Sequence, residues 1–226
     1  MLPTSEHRVF VDANILASPV PRTILNLSQP LSDFELVFSP WVEREAERHQ
    51  KAGHIPVSTL RQRFDWKFVP DADDFDGLVD TDPKDQPVLA TAVEARARFL
   101  VTANVRDFGE KDLVEHRVVA VHPGLFLAQH ITAETYREVL EAVGEKRGRE
   151  PRDPLSIHEQ ETSVHLPALF DVYRDLFGPA MPDVTHQPPA VSFRGTRCVR
   201  CYRVLPEDLQ HDPGLCQRCR TEKALY

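Results

Sequence analysis

The chain has 226 residues, 27 Lys plus Arg against 35 Asp plus Glu, a formal net charge of −8 and a hydrophobic share of 41%. That length allows one α/β domain of ordinary size with an appendage, and the apolar share supplies a real core, which excludes a wholly disordered chain. No run of about 18 apolar residues occurs and Met1 is followed by a polar segment, so neither a membrane span nor a secretory leader is expected, and the expected location is cytoplasmic.

In chain order, Arg8 to Asp12 reads as a short buried strand ending in a carboxylate, and Pro21 to Ser28 suits a short helix. Phe34 to Phe38 is a second strand. Ser39-Pro40 opens a helix to about Ala52, and Gly53 stops it. A helical segment from Ser58, a β-like stretch from Trp66 to Val69 and an acidic loop from Asp71 to Asp82 follow. The spacing then predicts a helix from Pro83 to about Arg98, capped by Asp82, with Pro87 able to move the start about one turn later. Phe99 to Val101 and Val118 to Val121 lack polar alternation and read as strands buried on both faces. Two helical segments, Thr132 to Glu145 and His165 to Phe177, come after the last strand. Strands alternating with helices at these intervals imply a three-layer α/β/α fold around a parallel sheet. The expected organisation is an α/β domain over 1–125, a helical extension over 126–178, a Pro-rich linker over 179–194 and a small cysteine module over 195–226.

With 35 acids in the chain, placement counts for more than identity. Ligands of an open parallel sheet collect at the carboxyl ends of its strands, and Asp12 stands at such an end. Asp85 shares a helical face with Val88, Leu89 and Ala92, so it should look toward the end of the sheet and not toward bulk water. Asp107 closes the segment after the strand at Phe99 to Val101. On the helix after Pro40, Glu45 shares a face with Trp41 and Val42, and so is expected inward, with Glu43 and Glu47 facing solvent. Such a cluster repels itself unless protonated or neutralised by a metal, and oxygen-only ligands favour Mg²⁺ or Mn²⁺. That chemistry suits attack of water on a phosphodiester, and a body this acidic needs cations to draw in a polyanion.

Four stretches carry a resemblance: Val9-Phe-Val-Asp12-Ala-Asn14-Ile-Leu16, Ser39-x-x-Val42-x-x-Glu45, Asp82-Pro-Lys-Asp85-Gln-Pro-Val-Leu-Ala-Thr-Ala92 and Leu100-Val-Thr102-Ala-Asn104-Val-Arg-Asp107-Phe108. Together, in this order over roughly residues 7–125, they resemble the PIN-domain metal-dependent nucleases, and within them the VapC-type ribonuclease toxins. The resemblance implies an acidic quartet of Asp12, Glu45, Asp85 and Asp107 with Asn14, Thr102 and Asn104 in support. It also implies Mg²⁺ or Mn²⁺ as cofactor, RNA as substrate, a cognate antitoxin as partner and a homodimer as a common assembly. The helical tail after His122 also looks like that of some longer VapC-type toxins.

All four cysteines fall at the end, as Cys198-x-x-Cys201 and Cys216-x-x-Cys219 with fourteen residues between the pairs. This is close to zinc-ribbon spacing, and four thiolates would hold a structural Zn²⁺ with no open position for chemistry. Arg197, Arg200, Arg203, Arg218 and Arg220 surround it, so the module suits RNA or protein contact equally. The leading expectation is thus a metal-dependent ribonuclease of toxin type. Its competitor is a non-catalytic nucleic-acid-binding or scaffolding protein acting through the ribbon.

Overall fold

The computed structural model describes residues 8–64 and 66–178. Five strands form one wholly parallel sheet: β1 (Arg8–Val11), β2 (Glu35–Phe38), β3 (Lys67–Phe68), β4 (Phe99–Val101) and β5 (Val119–Val121), in spatial order β3-β2-β1-β4-β5. Phe10 of β1 registers with Val37 on one side and Leu100 on the other. Successive residues of β1 and β2 are buried without alternation, so helices cover both faces, as a parallel sheet requires. This confirms the α/β architecture expected from the sequence.

After β1 come two helices, α1 (Ala13–Leu16) and α2 (Pro19–Ser28); α3 (Pro40–His49) and α4 (Val57–Phe64) flank the crossover from β2 to β3. Ser39 caps α3 by accepting from the Val42 amide, with Pro40 at the first position, where its missing N–H costs nothing. Next are α5 (Gln86–Glu94), before β4, and α6 (Glu110–Glu115), before β5. The chain then runs through α7 (Pro123–His130), α8 (Ala133–Lys146), α9 (Pro154–Ile157), a π-helical turn at His158–Thr162, α10 (Ser163–His165) and α11 (Pro167–Val172).

The core is continuous from the sheet into these last helices. Phe126 of α7 meets Phe34 and Phe99 edge-on, at 5.1 and 5.4 Å between ring centres. Further along, Tyr173 donates to the Ile131 carbonyl at 2.6 Å, and Tyr136 packs against Tyr173 and His158.

Several expectations change. Helix α5 starts at Gln86, not Pro83, with Asp85 and not Asp82 at its N-cap. Pro87, which has no N–H and clashes with a preceding turn, is tolerated only at the helix start. Strand β5 is the sheet edge, and Val119 is 41% exposed, so it is not buried on both faces. The segment from His165 to Phe177 is broken at Leu166-Pro167, because proline restricts the residue before it. Helix α7 was not foreseen: six of its eight residues are buried, so it has no polar face from which a helical period could be read. Cys198, Cys201, Cys216 and Cys219 lie outside the described residues.

Candidate active site

The strand order reverses between β1 and β4, since the chain fills one side of the sheet from β1 and the other from β4. The carboxyl ends of these two strands therefore flank a crevice at the switch point. Asp12 stands there, 5% exposed, with its amide donating to the Val101 carbonyl at 3.0 Å. Its Oδ1 caps α1 by accepting from the Ala13 amide at 2.6 Å. Its Oδ2 accepts from Asn14 Nδ2 at 2.6 Å and from the Thr102 hydroxyl at 2.7 Å.

The supporting polar residues form a closed network. Asn14 Nδ2 also donates to Thr102 Oγ1 at 3.0 Å, and Asn14 Oδ1 accepts from the Ala103 amide at 3.1 Å. The amide of Asn104 donates to Thr102 Oγ1 at 3.0 Å. The Thr102 hydroxyl thus gives its one proton and fills both acceptor positions, and the Asn14 amide uses both protons. Asn104 contributes through its backbone at the head of a 3₁₀ turn (Val105–Asp107), where its side chain makes no capping bond.

Asp85, half-buried at the head of α5, makes no capping hydrogen bond. Burial pushes its carboxyl up to about 7, and the charges of Asp12, Asp107 and Asp82 push the same way against Lys84 alone. Asp12 is also raised, by burial first and by Asp107 in part, although the donors from Thr102, Ala13 and Asn14 oppose the shift. The three expected aspartates therefore share one electrostatic site. Arg106 approaches Asp107 at 3.6 Å.

Glu45 is not among the charges that shift Asp12 or Asp85. Its two oxygens take Arg48 at 2.6 Å and His49 at 2.8 Å on its own helix, and its side chain is 23% exposed. Glu43, expected in solvent, is instead half-buried and accepts from Arg61 at 2.8 Å, while Glu47 is exposed as expected. Among the described residues no three acidic, His or Cys side chains stand close enough to hold one ion directly.

Two residues that frame the site carried no signal in the sequence. Asp112, 1% exposed, accepts from the Val79, Asp80 and Thr81 amides at 3.1, 3.0 and 2.8 Å. Thr81 Oγ1 in turn accepts from the Gly109 amide at 3.0 Å, and the Asp82 amide donates to the Asp107 carbonyl at 2.9 Å. These bonds stitch the loop before Asp85 to the loop carrying Asp107. Gly109 is required at the seam, where an added Cβ would lie 2.4 Å from the Cβ of Asp80.

Over 60 residues the chain is 38% identical to the protein named "Putative ribonuclease VapC50" of Mycobacterium tuberculosis, a stretch covering 26% of this chain. The chain spans about a third of the length of that curated relative, 34%. The alignment supports a VapC-like relationship over that stretch. No protein-family model matches the chain, and no solved structure matches it. No helix among the described residues is long and apolar enough to cross a membrane.

Proposed function

We propose that the chain is a metal-dependent endoribonuclease of VapC type, with Asp12, Asp85 and Asp107 as its acidic centre. The observation that supports this most is the mutual charge repulsion of three aspartates near the switch point, opposed by Lys84 at Asp85 and by Arg106 beside Asp107. An all-oxygen donor set under that repulsion fits a hard divalent cation. Mg²⁺ in particular keeps several waters and takes one or two carboxylates with the substrate's phosphate.

Asp12 and Asp85 would hold the ion, with Asp107 beside them, and its chemistry there would be to acidify water and stabilise charge on the phosphate oxygens. The chain's own residues do the positioning. Thr102 and Asn14 fill both acceptor positions of Asp12 Oδ2 and Ala13 one of Oδ1, which fixes the carboxylate plane and leaves one position, on Oδ1, for a ligand. Asp85, free of capping, is able to exchange a proton near neutral pH. Glu45 stays outside this reading while Arg48 and His49 engage it.

RNA as substrate and an antitoxin as partner follow from the VapC likeness. The test is RNA cleavage by the purified chain with Mg²⁺ or Mn²⁺, compared with Asp12→Asn and Asp85→Asn. Loss in both variants supports the reading, and equal cleavage by all three overturns it.

A further inference from the structure

Away from the acidic crevice, α2, α4 and α8 bound an open cleft of about 310 Å³, lined by none of Asp12, Asn14, Asp85, Thr102 or Asp107. Its walls are apolar, with Leu27 on α2, Leu60 and Phe64 on α4 and Val143 on α8. The volume sits at the lower end of the ~300–1,000 Å³ typical of small-ligand sites.

The charge in the cleft is one-sided. Four cations, Arg22, Lys146, Arg147 and Arg149, line it against one carboxylate, Glu161. Glu161 is already used: Arg147 holds it at 2.5 Å and Arg149 stands at 3.8 Å. Lys146 makes no ion pair among the described residues, and Arg149 remains 73% exposed.

Arg22 is the most telling of the four. It is 6% exposed, and its guanidinium donates to two neutral carbonyls, Leu16 at 3.0 Å and Ile55 at 3.2 Å. No carboxylate pairs with it among the described residues, and a buried cation without a counter-charge is costly. Carbonyl acceptors satisfy part of the hydrogen-bonding but leave the charge in place.

We propose that this cleft is a binding site for a small amphiphilic anion, a carboxylate carrying a short apolar tail. The tail would lie along Leu27, Leu60, Phe64 and Val143, and the carboxylate would meet the cationic side chains that line the cleft, Arg22, Lys146 and Arg149. An apolar body alone would leave the buried guanidinium uncompensated, and an inorganic anion alone would leave the apolar walls wet. The site is independent of the nuclease reading.

Octanoate is the probe, titrated into the full chain by calorimetry and followed by amide chemical shifts, with octylammonium, octanol and acetate as controls. The expected result is saturable binding at one site by octanoate, with shifts confined to α2, α4 and α8 and weaker binding of all three controls. The exposed pair Lys146→Glu with Arg149→Glu should weaken octanoate about tenfold or more, the scale of a lost charge-assisted contact, and Val143→Trp should block it by filling the cleft. Thermal unfolding of each variant confirms that it is folded. Absence of octanoate binding, equal binding of octylammonium, or undiminished binding by the charge-reversed chain overturns the proposal.

Discussion

Two buried aspartates, one on each side of the loop that frames the crevice, show how the same side chain serves opposite ends. Asp112 is surrounded by three backbone amides, and its carboxyl is held below the ordinary aspartate range by those bonds and by Thr81, despite burial. Asp12 is also shielded from solvent, but it lies far deeper among surrounding atoms, so desolvation outweighs its donors and, with a neighbouring acid, raises its carboxyl. The first is a finished interaction that fixes a loop. The second, with Asp85 beside it, is an unfinished one that a cation would complete. A fully compensated charge stabilises, whereas an uncompensated one is the usual mark of a working site.

This contrast is open to direct attack. The largest expected effect is on catalysis: Asp12→Asn should cut RNA cleavage on the order of 10³-fold while lowering the metal-free melting temperature far less than loss of Asp112 does, because relief of repulsion offsets part of the cost of turning an NH2 toward the donors that Asp12 accepts from. Parallel losses of activity and stability would mean that Asp12 is as structural as Asp112. Conversely, Asp112→Ala should destabilise the fold by about 3 kcal/mol in denaturant unfolding, since three amides lose their acceptor in a buried place. Phe126→Ala, which empties the junction between β4 and α7, should cost a comparable ~3–5 kcal/mol and mark the ordinary price of core loss.

The pH dependence of stability is a subtler measurement. The Asp85 carboxyl titrates near 7 when folded and near 3.8 when unfolded, so the folded state holds an extra proton between those values. Its contribution is complete below the unfolded value and is lost as pH rises through about 7. In chelator, the melting temperature should therefore fall from pH 5 to pH 8 more steeply in the native chain than in Asp85→Asn. Buried His158, whose pKa is lowered by desolvation, works in the opposite direction and is common to both proteins, so their difference reports Asp85 together with its coupling to Asp12. Added Mg²⁺ should flatten the native profile, because it binds the deprotonated folded state. Identical profiles with and without Mg²⁺ would speak against a cation at this site.

The smallest effect is expected at Glu45. Its pairing with Arg48 and His49 lies on an exposed helix face, so Glu45→Gln should change stability by less than ~1 kcal/mol. Cleavage should also stay within a few-fold of the native rate. A loss comparable to that of Asp12→Asn would return Glu45 to the acidic centre.

The strands, and the positions of Asp12 at a strand end and Asp85 at a helix head, were legible because each is signalled locally: a short apolar run followed by a carboxylate at its end, or an acid at the head of an apolar helix face. The partners of Glu45 and Glu43 were not, because their helical faces are set by where α3 lies against its neighbours, and three glutamates at alternate positions offer the same local pattern. Helix α7 escaped for the reverse reason, since complete burial erases the periodicity that reveals a helix. The roles of Asp112 and Gly109 depend on contacts about thirty residues away, which no spacing in the sequence encodes.

Composition and hydrophobic pattern alone determined that this chain builds a parallel sheet with acids at its strand ends, because burial on two faces and polar caps are written into consecutive residues. Tertiary structure decided which acids share a field, which are neutralised by their own helix, and where the positive apolar cleft opens. Electrostatic interaction depends on distance through space, and only the folded chain sets those distances.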